Sequence, residues 1–183
     1  MRIIAGSKRS LPLKAPKGMN TRPTQDRTKE TLFNVLQNDV YGARFLDLFS
    51  GSGAIALEAL SRGASYAVMV ENAKEAINCI KENINFTGFG DCARLMECDV
   101  LTALKRLDGQ QPFDIVFMDP PYKLGIEGQV TEILSGAEYV TDDTIVIAEA
   151  ALDTPTDFAE KTGFEIYKTK DYKTNRHIFM RRK

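Results

Sequence analysis

The chain of 183 residues has no tryptophan, one histidine and three cysteines, and it lacks any apolar run long enough to cross a membrane. A zinc site takes about four ligands at short spacings, whereas Cys79, Cys92 and Cys98 show no Cys-x-x-Cys spacing and His177 is the single histidine. We therefore expect no metal, and reduced, buried thiols. A membrane helix needs about 20 apolar residues, and the apolar start of this chain is too short for a signal peptide. The expectation is a soluble, cytoplasmic protein.

The composition fits one compact domain whose charge is distributed unevenly. At 43% hydrophobic, 183 residues are enough to bury a sizeable core, and the net charge is −1. Residues 1–29 hold eight basic residues and one acidic residue, residues 161–183 hold eight and two, and residues 30–160 hold eight and 22. Attraction to nucleic-acid phosphates would therefore come from the two basic ends, for which solvated tails are the alternative interpretation.

The tetrapeptide Asp119-Pro120-Pro121-Tyr122 follows the apolar run 115–118, which predicts a buried strand that ends in a polar cluster. Two prolines restrict the backbone and offer no N–H, so the Asp119 carboxylate and the Pro120 carbonyl can face a ligand as fixed acceptors. Acceptors suit an amino group, and Tyr122 adds a flat face for stacking. The cluster predicts a site for a planar ring with an exocyclic NH2, such as adenine, guanine or cytosine; alternatively, the prolines simply end a strand.

A second motif, Asp47-Leu48-Phe49-Ser50-Gly51-Ser52-Gly53, lies between an apolar pair and the good helix former 54–60, which predicts a strand, a glycine turn and a helix. The glycines permit a close approach of the backbone, and the helix offers unpaired N–H groups. The next predicted strand, 66–70, ends in Glu71, whose carboxylate can accept both hydroxyls of a ribose. The layout predicts an adenosine-bearing cofactor, with an ordinary βαβ turn as the alternative.

Asp47 favours one of the two cofactors that use this layout. Nicotinamide and S-adenosylmethionine enzymes share the spacing, and both tolerate Ala56 at the third glycine position. A carboxylate before the turn suits a cationic amine or sulfonium and is unsuited to a pyrophosphate. S-adenosylmethionine carries those cations, so we expect it as the cofactor, and an NAD-dependent oxidoreductase is the less favoured alternative.

The rest of the chain alternates strand and helix, which predicts a doubly wound α/β sheet. We predict helices over 25–36, 75–86, 100–106 and 128–134, strands over 93–97 and 144–149, and a closing antiparallel hairpin of 164–168 with 177–181. Thr24 is the predicted N-cap of the first helix, and Asp99 is at once a cap of the helix 100–106 and a carboxylate at the carboxyl edge of the sheet. His177 lies inside the hairpin and is interpreted as structural.

The combination of Asp-Leu-Phe-Ser-Gly-Ser-Gly with a later Asp-Pro-Pro-Tyr resembles the class I methyltransferases that act on an exocyclic amine. The opening residues 1–6 and the segment 21–34 are similar to the start of the RsmD family of 16S ribosomal RNA guanine-N2 methyltransferases. The similarity extends over nearly the whole chain. It departs at residues 172–176, where that family tends to show Tyr-Gly and this chain has Tyr-Lys-Thr-Asn-Arg, so we expect the last hairpin to turn differently.

The resemblance implies a Rossmann-like fold, with a mostly parallel seven-stranded sheet whose last strand is antiparallel, and an N-terminal β-hairpin extension. We expect a basic hairpin and linker over residues 1–22 and the methyltransferase domain over residues 23–183. The implied activity is methyl transfer from S-adenosylmethionine to N2 of a guanine in small-subunit ribosomal RNA. A small single domain has few ways to select one guanine, so we expect an assembled or partly assembled subunit as the substrate, and we expect a monomer. Methylation of DNA adenine or protein glutamine, and a noncatalytic RNA-binding module, remain alternatives.

The motifs and the resemblance together assign residues to three roles. The expected catalytic residues are Asp119, Pro120 and Tyr122. The expected cofactor-binding residues are Thr24, Asp47, Phe49, Ser50, Gly51, Gly53, Glu71, Asp99, Val100 and Asp119, of which Asp99 would accept from the adenine amino group. The expected RNA contacts are Arg2, Lys8, Arg9, Arg22 and Arg27.

Overall fold

The computed structural model describes residues 1–16, 23–121 and 125–183, with residues 23–25 described by their backbone alone. Seven strands form one sheet in the order β3-β2-β1-β4-β5-β7-β6. Their bounds are β1 Arg44–Asp47, β2 Tyr66–Glu71, β3 Ala93–Glu97, β4 Ile115–Met118, β5 Ile145–Ala151, β6 Phe164–Asp171 and β7 Asn175–Arg182. The first five strands are parallel, and β7 runs antiparallel to both of its neighbours, which confirms the predicted sheet.

Six helices lie in the described part of the chain. They are α1 Pro23–Val35, α2 Ala54–Ser61, α3 Lys74–Thr87, α4 Val100–Arg106, α5 Glu127–Gly136 and α6 Asp157–Lys161. The prediction that Thr24 caps α1 is wrong, because the helix already begins at Pro23, where the fixed φ of proline suits the first helical position. The sequence analysis also missed α6, whose five residues are too few to show a helical period.

Hydrophobic cores lie on both faces of the sheet, which explains why the central strands are almost continuously apolar. One core lies under α4, α5 and α6, and the other lies under α1, α2 and α3. All four residues of β4 are buried. Since parallel strands present their carboxyl ends at one edge, the loops that follow β1, β2, β3, β4 and β5 all emerge at that edge.

The N-terminal segment pairs with itself over a single antiparallel bridge, between Arg2 and Pro12, instead of as two regular strands. The Ile3 N–H donates to the Leu11 carbonyl at 3.0 Å, and the Leu13 N–H donates to the Met1 carbonyl at 3.1 Å. Ile3 and Leu13 are buried in the same core as α1, α2 and α3. The predicted β-hairpin is therefore reduced to one bridge. The predicted domain boundary at residue 22 falls outside the described residues.

A buried carboxylate, Glu58 of α2, holds the N-terminal segment and α1 in place. Its two oxygens accept the Ile4 N–H at 2.7 Å and the Ala5 N–H at 3.0 Å. It also forms ion pairs with Lys29 of α1, at 3.2 Å, and with Arg62, at 2.8 Å. The Lys29 side chain is 5% exposed and that of Glu58 is 0% exposed. Burial lowers the pKa of Lys29, and the charge of Glu58 partly offsets this effect.

The closing hairpin is longer than predicted, because β6 and β7 extend to Asp171 and back to Asn175. The turn between them is closed by the Tyr172 N–H, which donates to the Asn175 carbonyl at 2.8 Å. The register shifts between Ile166 and Lys168, so one residue of β6 bulges from the ladder. The departure from the Tyr-Gly pattern is thus accommodated in a short turn at the end of the sheet.

The three cysteines are free, but only Cys79 is buried; Cys92 and Cys98 are partly exposed, so the expectation of buried thiols was wrong for two of them. In the described ranges, no helix is both long and apolar enough to span a bilayer. Within the same ranges, no group of three or more His, Cys, Asp and Glu side chains is arranged to hold a metal ion.

Replacement of Glu58 by glutamine should lower the free energy of unfolding by about 3–5 kcal/mol, because it leaves the buried Lys29 ammonium without its counter-charge. Urea unfolding measures the change. Asp157→Asn is the matched control, since it removes an exposed carboxylate whose ion pair with Lys161 has little effect on stability. Equal effects of the two substitutions would contradict the role of Glu58.

Candidate active site

A cavity of about 470 Å³ opens at the carboxyl edge of the sheet. Its described walls include the glycine turn after β1, the end of β4 with Asp119, Glu149 of β5, and the start of β7 with Asn175 and His177. Met1 and Lys29 close it on the side of the N-terminal segment and α1. The two sequence motifs, which are about 70 residues apart in the chain, therefore meet in one cavity.

The glycine turn needs its glycines for conformation and for space. Gly51 has a φ of 54° and Gly53 has a φ of 77°, which side-chain-bearing residues rarely adopt. A Cβ at Gly53 would lie 3.0 Å from the Met69 sulfur. The Gly53 N–H donates to the Ser50 carbonyl at 2.7 Å, which closes the turn just before α2. Only glycine keeps the turn this close to β2.

Glu71, at the end of β2, is bonded to the backbone of two loops. One carboxylate oxygen accepts the Gly51 N–H at 2.9 Å. The other accepts the N–H groups of Asn72 at 2.8 Å and Ala73 at 2.9 Å. Glu71 therefore fixes the glycine turn relative to the start of α3, a role that the sequence analysis did not predict.

Asp47 is a buried carboxylate for which the described residues provide no hydrogen-bond partner. The residue is 1% exposed, and neither of its oxygens makes a hydrogen bond within those residues. Burial raises its pKa to about 7, although nearby donors of Phe49, Ser50 and Ala56 favour the charged form. A buried polar group without a partner costs free energy, so such a group indicates a ligand that supplies the missing donor or cation.

Asp119 directly follows β4 and lies in the cavity wall between Asp47 and Glu149. Its side chain is accessible to solvent through the cavity, whereas Pro120 is buried. Burial among the surrounding protein, and then the negative charges of Glu149 and Asp47, raise its pKa well above the usual range of a carboxyl. Tyr122, the predicted stacking residue, lies outside the described residues.

The opposite wall contains functional candidates that the sequence analysis missed or undervalued. The His177 ring is buried, and its Nε2 is 3.0 Å from the Glu149 carboxylate. Its Nδ1 is 3.0 Å from the Tyr172 hydroxyl, and the Asn175 amide donates to the second oxygen of Glu149. Glu149 was already the last residue of a predicted strand, the same signal that identified Glu71. His177, interpreted as structural, also lines the cavity.

Several other predicted cofactor residues lie away from the cavity wall that the described residues form. Asp47, Gly53, Glu71, Asp99 and Val100 are not part of that wall. The prediction that Asp99 caps α4 is confirmed, because its carboxylate accepts the Thr102 N–H at 3.0 Å and the Thr102 hydroxyl at 2.6 Å. These bonds lower the pKa of Asp99. The side chain of Thr24 lies outside the described residues.

The predicted RNA contacts fall into two separate groups. Arg2 lies near the cavity, where its guanidinium is 3.7 Å from the carboxylate of Asp26, a residue of the cavity wall. Lys8 lies at the other edge of the sheet, because its N–H donates to the hydroxyl of Ser61, the last residue of α2. Arg9 follows Lys8 there. Arg27 is exposed on α1, and Arg22 lies outside the described residues.

The sheet order with its single reversed strand, and the cavity at its carboxyl edge, define a class I methyltransferase. The family described as conserved hypothetical protein 95 matches residues 1–181, and the chain belongs to this family, the RsmD family.

Relatives and a solved structure agree with this assignment. Ribosomal RNA small subunit methyltransferase D of Haemophilus influenzae is 34% identical over 156 residues, 85% of this chain and 81% of that protein. The Escherichia coli protein of the same name is 33% identical over 153 residues, 84% of this chain and 76% of that one. An Escherichia coli structure, itself described provisionally as a methyltransferase, has a TM-score of 0.84 at 29% identity and covers 100% of this chain and 98% of that chain.

Asp47→Asn should stabilise the protein without ligand above pH 7, by about 2–4 kcal/mol. Below about pH 4 the carboxyl is protonated in the folded and unfolded states alike. Between about pH 4 and about pH 7 only the folded state holds the proton, so the stability of the wild type falls as pH rises and the full penalty applies above pH 7. Urea unfolding at pH 5 and pH 8 measures this, with the exposed Asp91→Asn as control. An equal gain in the free energy of unfolding at both pH values would refute the explanation that the raised pKa of Asp47 causes the effect.

Proposed function

We propose that this protein transfers the methyl group of S-adenosylmethionine to the exocyclic N2 of a guanine in small-subunit ribosomal RNA. The observation that carries the proposal is that Asp119 lines the cavity while the buried Asp47, at the end of the neighbouring strand β1, lies close enough for its charge to raise the pKa of Asp119. Asp47 is a buried carboxylate that lacks a donor among the described residues, and Asp119 is followed by the buried Pro120. The printed names of the relatives, which refer to small-subunit ribosomal RNA, support the choice of substrate.

The first half of the cavity fits the cofactor. S-adenosylmethionine supplies a methyl group on a sulfonium and carries an ammonium. Asp47 offers negative charge to these cations, and the turn of Phe49, Ser50 and Gly51 offers backbone next to them. Gly53 keeps the turn close to β2. Glu71 holds the turn and accepts ribose hydroxyls.

The third strand completes the cofactor site in this proposal. Asp99 lies at the carboxyl edge after β3, where it accepts from the adenine amino group while it caps α4. Val100, which is buried, packs beside it. Asp119 borders the cofactor side of the site, but its carboxylate acts mainly on the amine.

Asp119 and Pro120 would make the exocyclic guanine nitrogen, which receives the methyl group, more nucleophilic. The lone pair of an exocyclic guanine nitrogen is delocalised into the ring and becomes nucleophilic only when it leaves conjugation. Two acceptors, the Asp119 carboxylate and the Pro120 carbonyl, bind the two N–H groups and favour a pyramidal nitrogen whose lone pair points at the methyl carbon. The N–C bond forms as the S–C bond breaks, and positive charge develops on nitrogen, where Asp119 stabilises it. The nitrogen then loses one proton, and Asp119, whose pKa is raised, is placed to accept it.

The RNA would reach the cavity across basic side chains. Arg2 and Arg27 lie on the side of the cavity, Arg22 belongs to the same part of the sequence, and Lys8 and Arg9 would contact more distant phosphates. Tyr122 would stack on the extruded base. A small monomer has few surfaces with which to select one guanine, so we further propose that an assembled or partly assembled subunit, in the cytoplasm, is the substrate.

The proposal is tested by transfer of tritium from labelled S-adenosylmethionine. Deproteinised small-subunit RNA and assembled subunits, both from a strain that lacks this protein, are incubated with the enzyme, and the labelled nucleosides are identified. N2-methylguanosine, formed faster on subunits, is the expected product. Label on DNA adenine or on protein glutamine would replace the proposed substrate. Equal rates on bare RNA and on subunits would refute the preference for the assembled particle.

Asp119→Ala should lower turnover at least about a hundredfold and leave the affinity for S-adenosylmethionine nearly unchanged, because the carboxylate acts on the amine and its developing charge. Single-turnover rates and calorimetric titration of the cofactor measure the two properties separately. Asp142→Asn, in an exposed loop, is the control. A loss of cofactor affinity as large as the loss of rate would show that this division of roles is wrong.

A further inference from the structure

A second carboxylate lies directly beside Asp119 in the cavity wall. Strands β4 and β5 are parallel neighbours, with Met118 in register with Ala148, so the next residues along, Asp119 and Glu149, lie side by side. Phe117 and Ile147 both face the core under α1, α2 and α3. Side chains two positions further along a strand return to the same face, so Asp119 and Glu149 project to the same side of the sheet. Both line the cavity.

The neighbours of Glu149 hold its carboxylate as an acceptor. Burial, and then the charge of Glu149, raise the pKa of Tyr172 to about 12, so its hydroxyl stays protonated and can donate to Nδ1 of His177. That bond leaves the ring proton on Nε2, which is 3.0 Å from Glu149. The Asn175 amide donates to the other oxygen. These donors orient the Glu149 carboxylate, which lines the cavity.

Two adjacent acceptors match only one of the bases that carry an exocyclic amine. In guanine, the N2 amine lies beside the N1–H, so this edge presents donors at neighbouring positions. In adenine, the N6 amine lies beside the bare N1 nitrogen, and in cytosine the N4 amine lies beside the bare N3 nitrogen. Those nitrogens are acceptors, and they would place a lone pair against the second carboxylate.

We propose that Glu149 accepts the N1–H of the target guanine while Asp119 accepts from its N2 amine, so that Glu149 determines the preference for guanine. This assignment rests on the proposed function and adds the base selectivity that the Asp-Pro-Pro-Tyr motif alone does not supply. A site built to bond a donor rejects an analogue that lacks it, because its own polar group is left unpaired. The repulsion that Asp119 experiences from Glu149 is relieved when a row of N–H donors lies against the two groups.

The test compares guanine with 2-aminopurine at the target position of the RNA. 2-Aminopurine keeps the exocyclic amine but has a bare N1 and no oxygen at position 6. The missing oxygen affects wild type and variant alike, so the change in the guanine-to-2-aminopurine ratio of kcat/KM isolates the contact at N1. In Glu149→Gln the new amide can donate to the bare nitrogen, so activity on guanine should fall and the ratio should fall about tenfold to hundredfold.

Three controls separate this role from a structural one. Glu132→Gln, on the exposed side of α5, should leave the ratio unchanged. Calorimetric binding of S-adenosylmethionine shows whether Glu149→Gln is folded. Glu149→Asp keeps the charge, so it should retain the preference for guanine at a lower rate; should the glutamine variant not fold, a Glu149→Asp variant that loses the preference would overturn the assignment.

The outcomes also distinguish the two proposals. A wild-type protein that methylates no guanine overturns both the proposed function and the role of Glu149. N2-methylguanosine formed by the wild type, together with a guanine-to-2-aminopurine ratio that Glu149→Gln leaves unchanged, overturns only the role of Glu149.

Discussion

Parallel pairing of β1, β4 and β5 concentrates negative charge at one edge of the sheet, and the properties of the site depend on this constraint. Asp47 ends β1, Asp119 follows β4 and Glu149 lies near the end of β5; Asp119 and Glu149 line the cavity, and Asp47 is buried beside it. Burial raises the pKa of Asp47 to about 7, and burial together with the negative charges of Glu149 and Asp47 raises the pKa of Asp119 well above the usual range of a carboxyl. The repulsion is relieved by cations and N–H donors, the groups that a sulfonium cofactor and an amino-bearing base supply.

Two buried carboxylates, 11 positions apart in the sequence, show how the same residue chemistry serves stability in one place and binding in another. Glu58 has backbone and ionic partners on three sides, so it ties the N-terminal segment and α1 to α2. The carboxylate oxygens of Asp47 have no hydrogen-bond partner among the described residues. The unpartnered carboxylate of Asp47 lowers the stability of the fold, but its charge is already in position when a ligand binds.

The side of the cavity away from the glycine turn is built by the antiparallel end of the sheet. There β7 brings Asn175 and His177 against Glu149 of β5, and the turn before it carries Lys173 and Thr174 to the cavity wall. This turn is the region in which the sequence departs from the Tyr-Gly pattern of the RsmD family. The departure therefore lies in the cavity wall that β5 and β7 form.

Local sequence patterns were sufficient to predict much of the secondary structure. The runs that form β2, β3 and β4 were predicted to within a residue, and α4 with its cap Asp99 was predicted as observed, because buried strands and caps leave signals within a few residues. The glycine turn and the Asp-Pro-Pro-Tyr motif are also contained within a few residues. The first indicated the proposed cofactor side of the site, and the second indicated the proposed amine side. Thr24 was mispredicted as a cap because Pro23 already occupies the first helical position, and the N-terminal hairpin is present only as one antiparallel bridge.

The contacts of Glu149 were decided by tertiary structure alone. Its partner His177 is 28 residues away, and only the antiparallel pairing of β5 with β7 places the two side chains opposite each other. Nothing in the spacing of a lone histidine and a strand-ending glutamate predicts that register. The sequence by itself determined the fold class and the two motifs from which the site is proposed, the glycine turn and Asp-Pro-Pro-Tyr, whereas the neighbour of Asp119 depends on which strands pair, a property set by the packing of the whole sheet.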